Sequence, residues 1–371
     1  MGKLPYLILF LSILFVDLAS ANQYLKSIFV FGDSQFDAGT NRLLKHCKLQ
    51  ANFTPYGSTF FHHPTGRFTN GRTVADFISQ YMGINFQKPY EEVHREIQHG
   101  KVKSFPSNGL NFASAGSGLL PNTSQEAGVT SIQGQLQQFL SLIKRRIHLQ
   151  KKKHVYLEKN QIVNSIYLIA AGGNDIFTYF LLPNTPPITQ EAFAHVLLKE
   201  VSIVIRKLYM VGARRFVIFP VGPIGCIPGR VLIKSAPTHK CSGRMNRLAK
   251  YYNAGLARLV TVLPRIYPGA IVVYGATYST TQKYRANPKQ YGFANVTEAC
   301  CGGGPLNGLL QCGLRGYKMC KKPNEYFFWD YFHPTERTYG LLSKGLWAGG
   351  RRQIWPINIQ TLATNKTLQP H

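Results

Sequence analysis

Acidic residues are scarce in this chain: 16 Asp and Glu stand against 43 Lys and Arg, a formal net charge of +27 over 371 residues. So basic a balance points to acidic partners such as nucleic acid, an anionic lipid surface or a polyanionic matrix. The chain also lacks any Pro-rich or Gly/Ser-rich linker and any internal repeat. That excludes a string of tethered modules and a solenoid, and leaves one large domain as the expectation. Beyond residue 21 no stretch is apolar enough for a membrane-spanning helix, which needs about 20 such residues. The last residues, Gln369-Pro370-His371, carry no retention signal. The 7 cysteines do not form two separated C-x-x-C knuckles, which argues against structural zinc. No metal or other cofactor is expected.

What is present begins with residues 1–21. Lys3 precedes an apolar run from Leu4 to Leu18, broken by Ser12 and Asp17, and Ala19-Ser20-Ala21 offers a small-x-small cleavage site. This reads as a signal peptide, followed by a single domain over 22–371 with an extracellular destination. Cleavage removes one Lys and one Asp, so the charge is unchanged. Secreted proteins rarely meet nucleic acid, so none is expected as a partner. The densest basic run, from Lys144-Arg145-Arg146 to Lys151-Lys152-Lys153, reads as a solvated helix end, or as attraction to acidic wall polysaccharide or anionic lipid. Secretion gives meaning to N-x-S/T triplets at Asn52, Asn122, Asn295 and Asn365, some of which are expected to carry glycans. It also implies disulfides among Cys226, Cys241, Cys300, Cys301, Cys312 and Cys320, with Cys47 alone in the first half. Fifteen connectivities are open to six cysteines. The favoured one joins Cys226 to Cys241 and pairs the last four among themselves.

Five apolar runs read as buried strands: Ser27 to Phe31, Gly109 to Ala113, Ser165 to Ala170, Arg215 to Pro220 and Ala270 to Tyr274. Helical periodicity lies between them, over Ile132 to Leu149 and Ala192 to Tyr209. Alternating strands and helices predict a mainly parallel sheet of about five strands covered on both faces, with every strand delivering its C-terminal end to one edge. Gly32-Asp33-Ser34 follows the first strand, Ser114-Ala115-Gly116-Ser117-Gly118 the second, and Gly172-Gly173-Asn174-Asp175 the third. Ligands of parallel sheets bind at that edge.

Near the C-terminus, Asp330 and His333 stand three apart, and Pro334 keeps the histidine out of helical geometry. In such a turn a carboxylate can accept the imidazole Nδ1 proton and leave Nε2 free to take a proton from Ser34. Taken singly, a serine after a strand is usually a turn or cap residue, Asn174-Asp175 a turn, Gly116 a bend and His333-Pro334 a structural loop. Together they are the pieces of one nucleophilic site.

The blocks Phe31-Gly32-Asp33-Ser34-Gln35-Phe36-Asp37-Ala38-Gly39, Pro64 to Arg72, Asn111 to Gly118, Gly172 to Asp175, Pro220 to Cys226, Cys300-Cys301-Gly302 and Asp330 to Glu336, in this order, resemble the plant GDSL esterase/lipases of the SGNH hydrolase superfamily. The resemblance implies a flavodoxin-like three-layer α/β/α sandwich and a secreted serine esterase or lipase of the apoplast or cell wall. Its substrates would be lipid or acylated wall esters. By the same resemblance Ser34 is the nucleophile, His333 the base and Asp330 its orienting partner. Ser34, Gly116 and Asn174 would form the oxyanion hole. Acyl transfer to cuticle or wall polymers is the alternative within catalysis; a cationic wall-binding glycoprotein without activity is the alternative outside it. The chain departs from the family pattern at Gln35, Thr40 and Ala115, where leucine, asparagine and glycine are usual.

Overall fold

The computed structural model describes residues 25–143, 155–181 and 188–364. The predicted signal peptide, Asn365, the basic run from Lys144 to Lys153 and the end of the helix predicted over Ile132 to Leu149 lie outside the described residues. Five parallel strands form the sheet: β1 (Ser27–Gly32), β2 (Gly109–Asn111), β3 (Ser165–Ala170), β4 (Arg215–Phe219) and β5 (Ile271–Gly275). Their spatial order is β5-β4-β3-β1-β2. A short strand, Ile354–Trp355, adds antiparallel to β5. Two residues are too few to show a periodicity, and this strand has no counterpart in the sequence reading.

The sheet is apolar on both faces because alternate residues of each strand are apolar in both registers. Phe29, Phe31, Tyr167, Ile169, Phe216 and Ile218 share one core with the helices Ile132–Ser141, Gln190–Met210 and Gly243–Ile266. Ile28, Val30, Ile166, Leu168, Val217 and Val273 share a second core with Val74–Tyr81, Glu336–Ala348 and Ile359–Thr364. The result is the predicted three-layer sandwich. Gln190–Met210 illustrates how local signals set the helices. The Thr189 side chain accepts from the Ala192 N–H at 3.2 Å, and Leu197, Val201, Val204, Ile205 and Leu208 bury one stripe.

Strand ends differ from the sequence reading where side chains take over backbone hydrogen bonds. β2 ends at Asn111, not Ala113: Phe112 N and Ser114 N still donate to Val30 O and Gly32 O of β1, but Gly32 N turns to the Gln135 side chain at 2.9 Å, and the Asn111 side chain bends the chain by accepting from Ala113 N at 2.9 Å and donating to Phe36 O at 2.7 Å. That bend aims the following loop at the end of β1. Three disulfides join Cys226 to Cys241, Cys300 to Cys320 and Cys301 to Cys312, within the favoured connectivity. Cys47 is a buried free thiol. Among the described residues no helix is long and apolar enough to cross a membrane. Asn52 and Asn122 are exposed; Asn295 is half-buried, its Oδ1 accepting from Thr297 N and Glu298 N.

Candidate active site

β1 ends on Gly32, where a Cβ would stand 2.6 Å from the Ala170 carbonyl oxygen of β3, so only glycine passes between the strands. The chain then turns tightly. Asp33 Oδ1 accepts from Gln35 N at 3.0 Å, and its carbonyl accepts from Phe36 N and Asp37 N. The turn carries Ser34 to the C-terminal edge of the sheet. Gln135, fully buried on the covering helix, grips the strand end: its Oε1 accepts from Gly32 N at 2.9 Å and its Nε2 donates to Gly32 O at 2.8 Å.

Asp330 and His333 arrive on a tight hairpin in which Trp329 N donates to His333 O at 2.7 Å and Thr335 N to Phe327 O at 3.0 Å. Asp330 is fully buried and His333 is 4% exposed. Asp330 Oδ1 accepts from Phe332 N and His333 N, both at 2.9 Å, and lies 2.7 Å from His333 Nδ1. With Nδ1 donating there, Nε2 accepts from the Ser34 hydroxyl at 2.7 Å. Tyr56 donates to Asp330 Oδ2 at 2.7 Å. Burial, and after it the Asp330 charge, holds the Tyr56 phenol well above its usual range, so it stays a donor. The Phe68 ring packs 5.1 Å from the imidazole.

Gly116 and Asn174 approach the same edge. Gly116 has φ +85°, a conformation that strains any L side chain, and a Cβ there would meet Leu49 Cδ1 at 2.3 Å. Asn174, in the first turn of the helix Gly173–Leu181, spends one N–H on Ser117 O at 2.9 Å. A second remains. Neither Ser34 N–H nor Gly116 N–H donates to an acceptor among the described residues. The Gly116 loop is placed by Asp37, which accepts from Ala115 N at 2.9 Å as well as from Gly39 N and Thr40 N, and by Asn41, which donates to Ala115 O at 2.9 Å. Asp175 accepts from Leu119 N, Leu120 N and the Thr123 hydroxyl. The Pro64 to Arg72 block ties these parts to the hairpin: Arg67 pairs with buried Asp76 at 2.7 Å and donates to Ala38 O, while Thr69 donates to Pro334 O and Asn70 accepts from Glu336 N.

Four of the five predicted site residues, Ser34, Gly116, Asn174 and His333, line one cleft of about 190 Å³, and the fifth, Asp330, lies behind His333. Its walls are mainly apolar, with Phe36, Val74, Phe177, Phe219, Ile224 and Phe332 among them, and exposed Gln35 at the rim. Sequence reasoning does not single out Tyr56 or Gln135, which carry no spacing signal; Asn41 sits just beyond the first block and is legible only there. The departures at Gln35, Thr40 and Ala115 remove none of these groups: Thr40 and Ala115 serve through backbone N–H donors.

Burial pushes the carboxyls of Asp33 and Asp37 up to about 6 and raises Asp175 as well. A carboxyl raised on folding binds its proton more tightly in the native state. Its stabilising contribution is therefore full below the unfolded value near 3.8 and is lost as pH rises through about 6. For Asp33 the swing is about 3 kcal/mol. Between pH 4, just above the unfolded value, and pH 7.5, urea unfolding should show Asp33→Asn losing about 2.5 kcal/mol less stability than wild type; equal losses would refute the assignment.

A hydroxyl, an imidazole and a carboxylate in hydrogen-bonded series, at the C-terminal edge of a parallel sheet between two helical layers, have the geometry of a serine hydrolase. Comparison with known proteins narrows that class. Residues 28–346 match the GDSL-like Lipase/Acylhydrolase family. The chain is 50% identical over 351 residues to GDSL esterase/lipase 6 of Arabidopsis thaliana, covering 95% of this chain and 94% of that protein. It is 34% identical to GDSL esterase/lipase 7 of the same plant, over 91% and 92%, and 31% identical to a GDSL lipase of Tanacetum cinerariifolium, over 93% and 90%. A solved carbohydrate esterase aligns with a TM-score of 0.33 at 13% identity, over 68% of this chain and 60% of its own, a likeness that carries no argument. The chain belongs to the GDSL lipase/acylhydrolase family, and with it to the carboxylic ester hydrolases.

Proposed function

We propose that this chain is a secreted, glycosylated serine esterase or lipase in which Ser34 is the nucleophile, His333 the general base and acid, and Asp330 the group that orients and balances the imidazole. The observation that carries this reading is the unbroken series from Ser34 Oγ to His333 Nε2 and from His333 Nδ1 to Asp330, each link 2.7 Å. Ser34 Oγ attacks the ester carbonyl as its proton passes to Nε2. The oxyanion takes hydrogen bonds from Ser34 N–H, Gly116 N–H and the Asn174 amide, donors fixed before substrate arrives. Collapse expels the alcohol, protonated by His333, and leaves an acyl-Ser34. Water, deprotonated by His333, attacks that ester, and the acid leaves as Ser34 recovers its proton.

The apolar cleft suits the acyl chain of a lipid or an acylated wall ester. The signal peptide and the three disulfides fit an apoplastic or wall location, with exposed Asn52 and Asn122 as the glycan sites. The charge of +27 supplies attraction to acidic wall polysaccharide. A fluorophosphonate probe tests the mechanism directly: folded protein should be labelled stoichiometrically on the peptide containing Ser34. Absence of label, or label on another serine, would sink the proposal.

A further inference from the structure

The acidic residues of this chain are unevenly spread: residues 201–297 and 337–371 contain no Asp or Glu. These two stretches meet in a second concavity of about 770 Å³, outside the catalytic cleft. The helix Thr277–Ala286 is a wall of both. Thr277 and Thr281, one turn apart, line the catalytic cleft, whereas Ser279, Thr280 and Lys283 line the second concavity. The rest of the lining comes from the turn 350–353 and from Tyr291 and Tyr284. In the turn Gln353 N donates to Gly350 O at 2.8 Å, and Ala276 N donates to Gln353 O at 2.8 Å, which pins the turn to the start of the helix. Tyr291 packs 4.3 Å from buried Tyr284, whose hydroxyl donates to Leu341 O at 3.2 Å.

The lining holds three exposed cations, Lys283, Arg351 and Arg352, and no carboxylate. None of the three side chains has an ion pair among the described residues, whereas Arg42, Arg67, Arg72, Lys88 and Lys322 are each paired with an acid. Lys and Arg keep their charge at neutral and mildly acid pH, so the cationic field here is permanent. A lone phosphate would be met by donors converging on one point; these cations stand on two elements around a far larger space. A lipid surface would need exposed aliphatic side chains at the rim. Among the described residues none of the exposed large apolar side chains belongs to this lining. What fits is a chain whose units each carry a carboxylate, several hydroxyls and an apolar ring face. We propose that the concavity binds an acidic polysaccharide, a chain of uronic acid units. Its carboxylates pair with Lys283, Arg351 and Arg352, its hydroxyls meet Ser279 and Gln353, and a sugar ring lies against Tyr291. The proposal rests on the reading of the cell wall as the protein's location, and gives the general attraction of the positive charge a defined site; it does not depend on the nucleophile assignment.

The test measures binding of oligogalacturonate by calorimetry at about 0.1 M ionic strength, where charges more than about 10 Å apart are largely screened. Two variants each lose three positive charges. Lys283→Ala/Arg351→Ala/Arg352→Ala removes them from the site; Lys199→Ala/Arg206→Ala/Lys207→Ala removes them from exposed positions of the helix Gln190–Met210, which does not line the concavity. The expected Kd is at least about tenfold weaker in the first variant and within about twofold of wild type in the second. Neutral oligogalactan should not bind. Equal weakening in both variants overturns the site and leaves the general attraction standing. No binding by wild type overturns both. Equal affinity for the neutral oligosaccharide, displacement by equimolar inorganic phosphate, or binding of phosphatidylglycerol vesicles that the first variant loses would each assign the concavity to another ligand and overturn the proposal. The first variant should melt as wild type does, because all three side chains are exposed. Should it melt lower, Arg351→Ala/Arg352→Ala, confined to the turn, reads the same site with an expected loss of about fivefold against Arg206→Ala/Lys207→Ala, and no such difference overturns the proposal.

Discussion

Ser34→Ala and His333→Ala should each lower kcat on a short-chain 4-nitrophenyl ester by roughly 10⁴–10⁶-fold, and the double variant should be no worse than either single one. The non-additivity follows from the geometry. Among the described residues the only side-chain hydrogen bond of Ser34 is to His333 Nε2, so removing either group already abolishes the activated hydroxyl. The fold should tolerate the serine substitution because no other hydrogen bond among the described residues uses that side chain. The turn around it is held by the Asp33 carbonyl and carboxylate, by Asp37 and by the Gln135 grip on Gly32. Unchanged thermal unfolding in Ser34→Ala would therefore accompany the loss of turnover. Hydrolysis retained by the purified serine variant would reject the nucleophile outright. Residual turnover above the uncatalysed rate is expected, because the donors at Gly116 and Asn174 remain.

The legible parts of this molecule are those that repeat or that cluster. The five parallel strands show as apolar runs because both faces of the sheet are covered, and the loops after them show as glycine-rich breaks. The supports of the site were illegible for a physical reason: they act across long sequence separations. Tyr56 and Asp330 are 274 residues apart, and Gln135 and Gly32 are 103 apart. No local periodicity encodes such a meeting. The two-residue strand Ile354–Trp355 is silent for the opposite reason, being too short to carry a pattern. The resemblance of the Pro64 to Arg72 block to a family motif marks it without explaining it. Arg67, Thr69 and Asn70 explain it by binding the first turn to the segment that carries His333.

The cysteine-rich segment has a comparable role. Cys300 N donates to Phe328 O at 2.9 Å and Cys301 N to Trp329 O at 2.7 Å. Both residues are tied by disulfides to the loop that follows, through Cys320 and Cys312. The strand leading into Asp330 is thus fixed from behind by covalently braced backbone. Rigid support matters here because a misplacement on the order of 1 Å can cost about 10²-fold in rate.

Asp330 offers the sharpest test of how that support divides between charge and geometry. Asp330→Ala should lower kcat by about 10⁴-fold, the scale for loss of the orienting carboxylate in such a triad. Asp330→Asn should be far milder, at about 10²-fold. Among the described residues Oδ1 receives three N–H donors, from Phe332, His333 and the imidazole, whereas Oδ2 receives the Tyr56 hydroxyl alone. An amide NH₂ cannot face three donors, so the asparagine must keep its oxygen toward His333 and turn its nitrogen toward Tyr56, whose hydroxyl can rotate to accept. The imidazole tautomer and its aim at Ser34 are then preserved. What is lost is the negative charge beside the imidazolium, and a charge-assisted hydrogen bond of about 1.5–3 kcal/mol becomes a neutral one. Steady-state kcat for the two variants, measured well below their melting temperatures, decides the matter. An asparagine variant as slow as the alanine one would mean that the amide has reversed and set the wrong tautomer, and would overturn the three-donor argument.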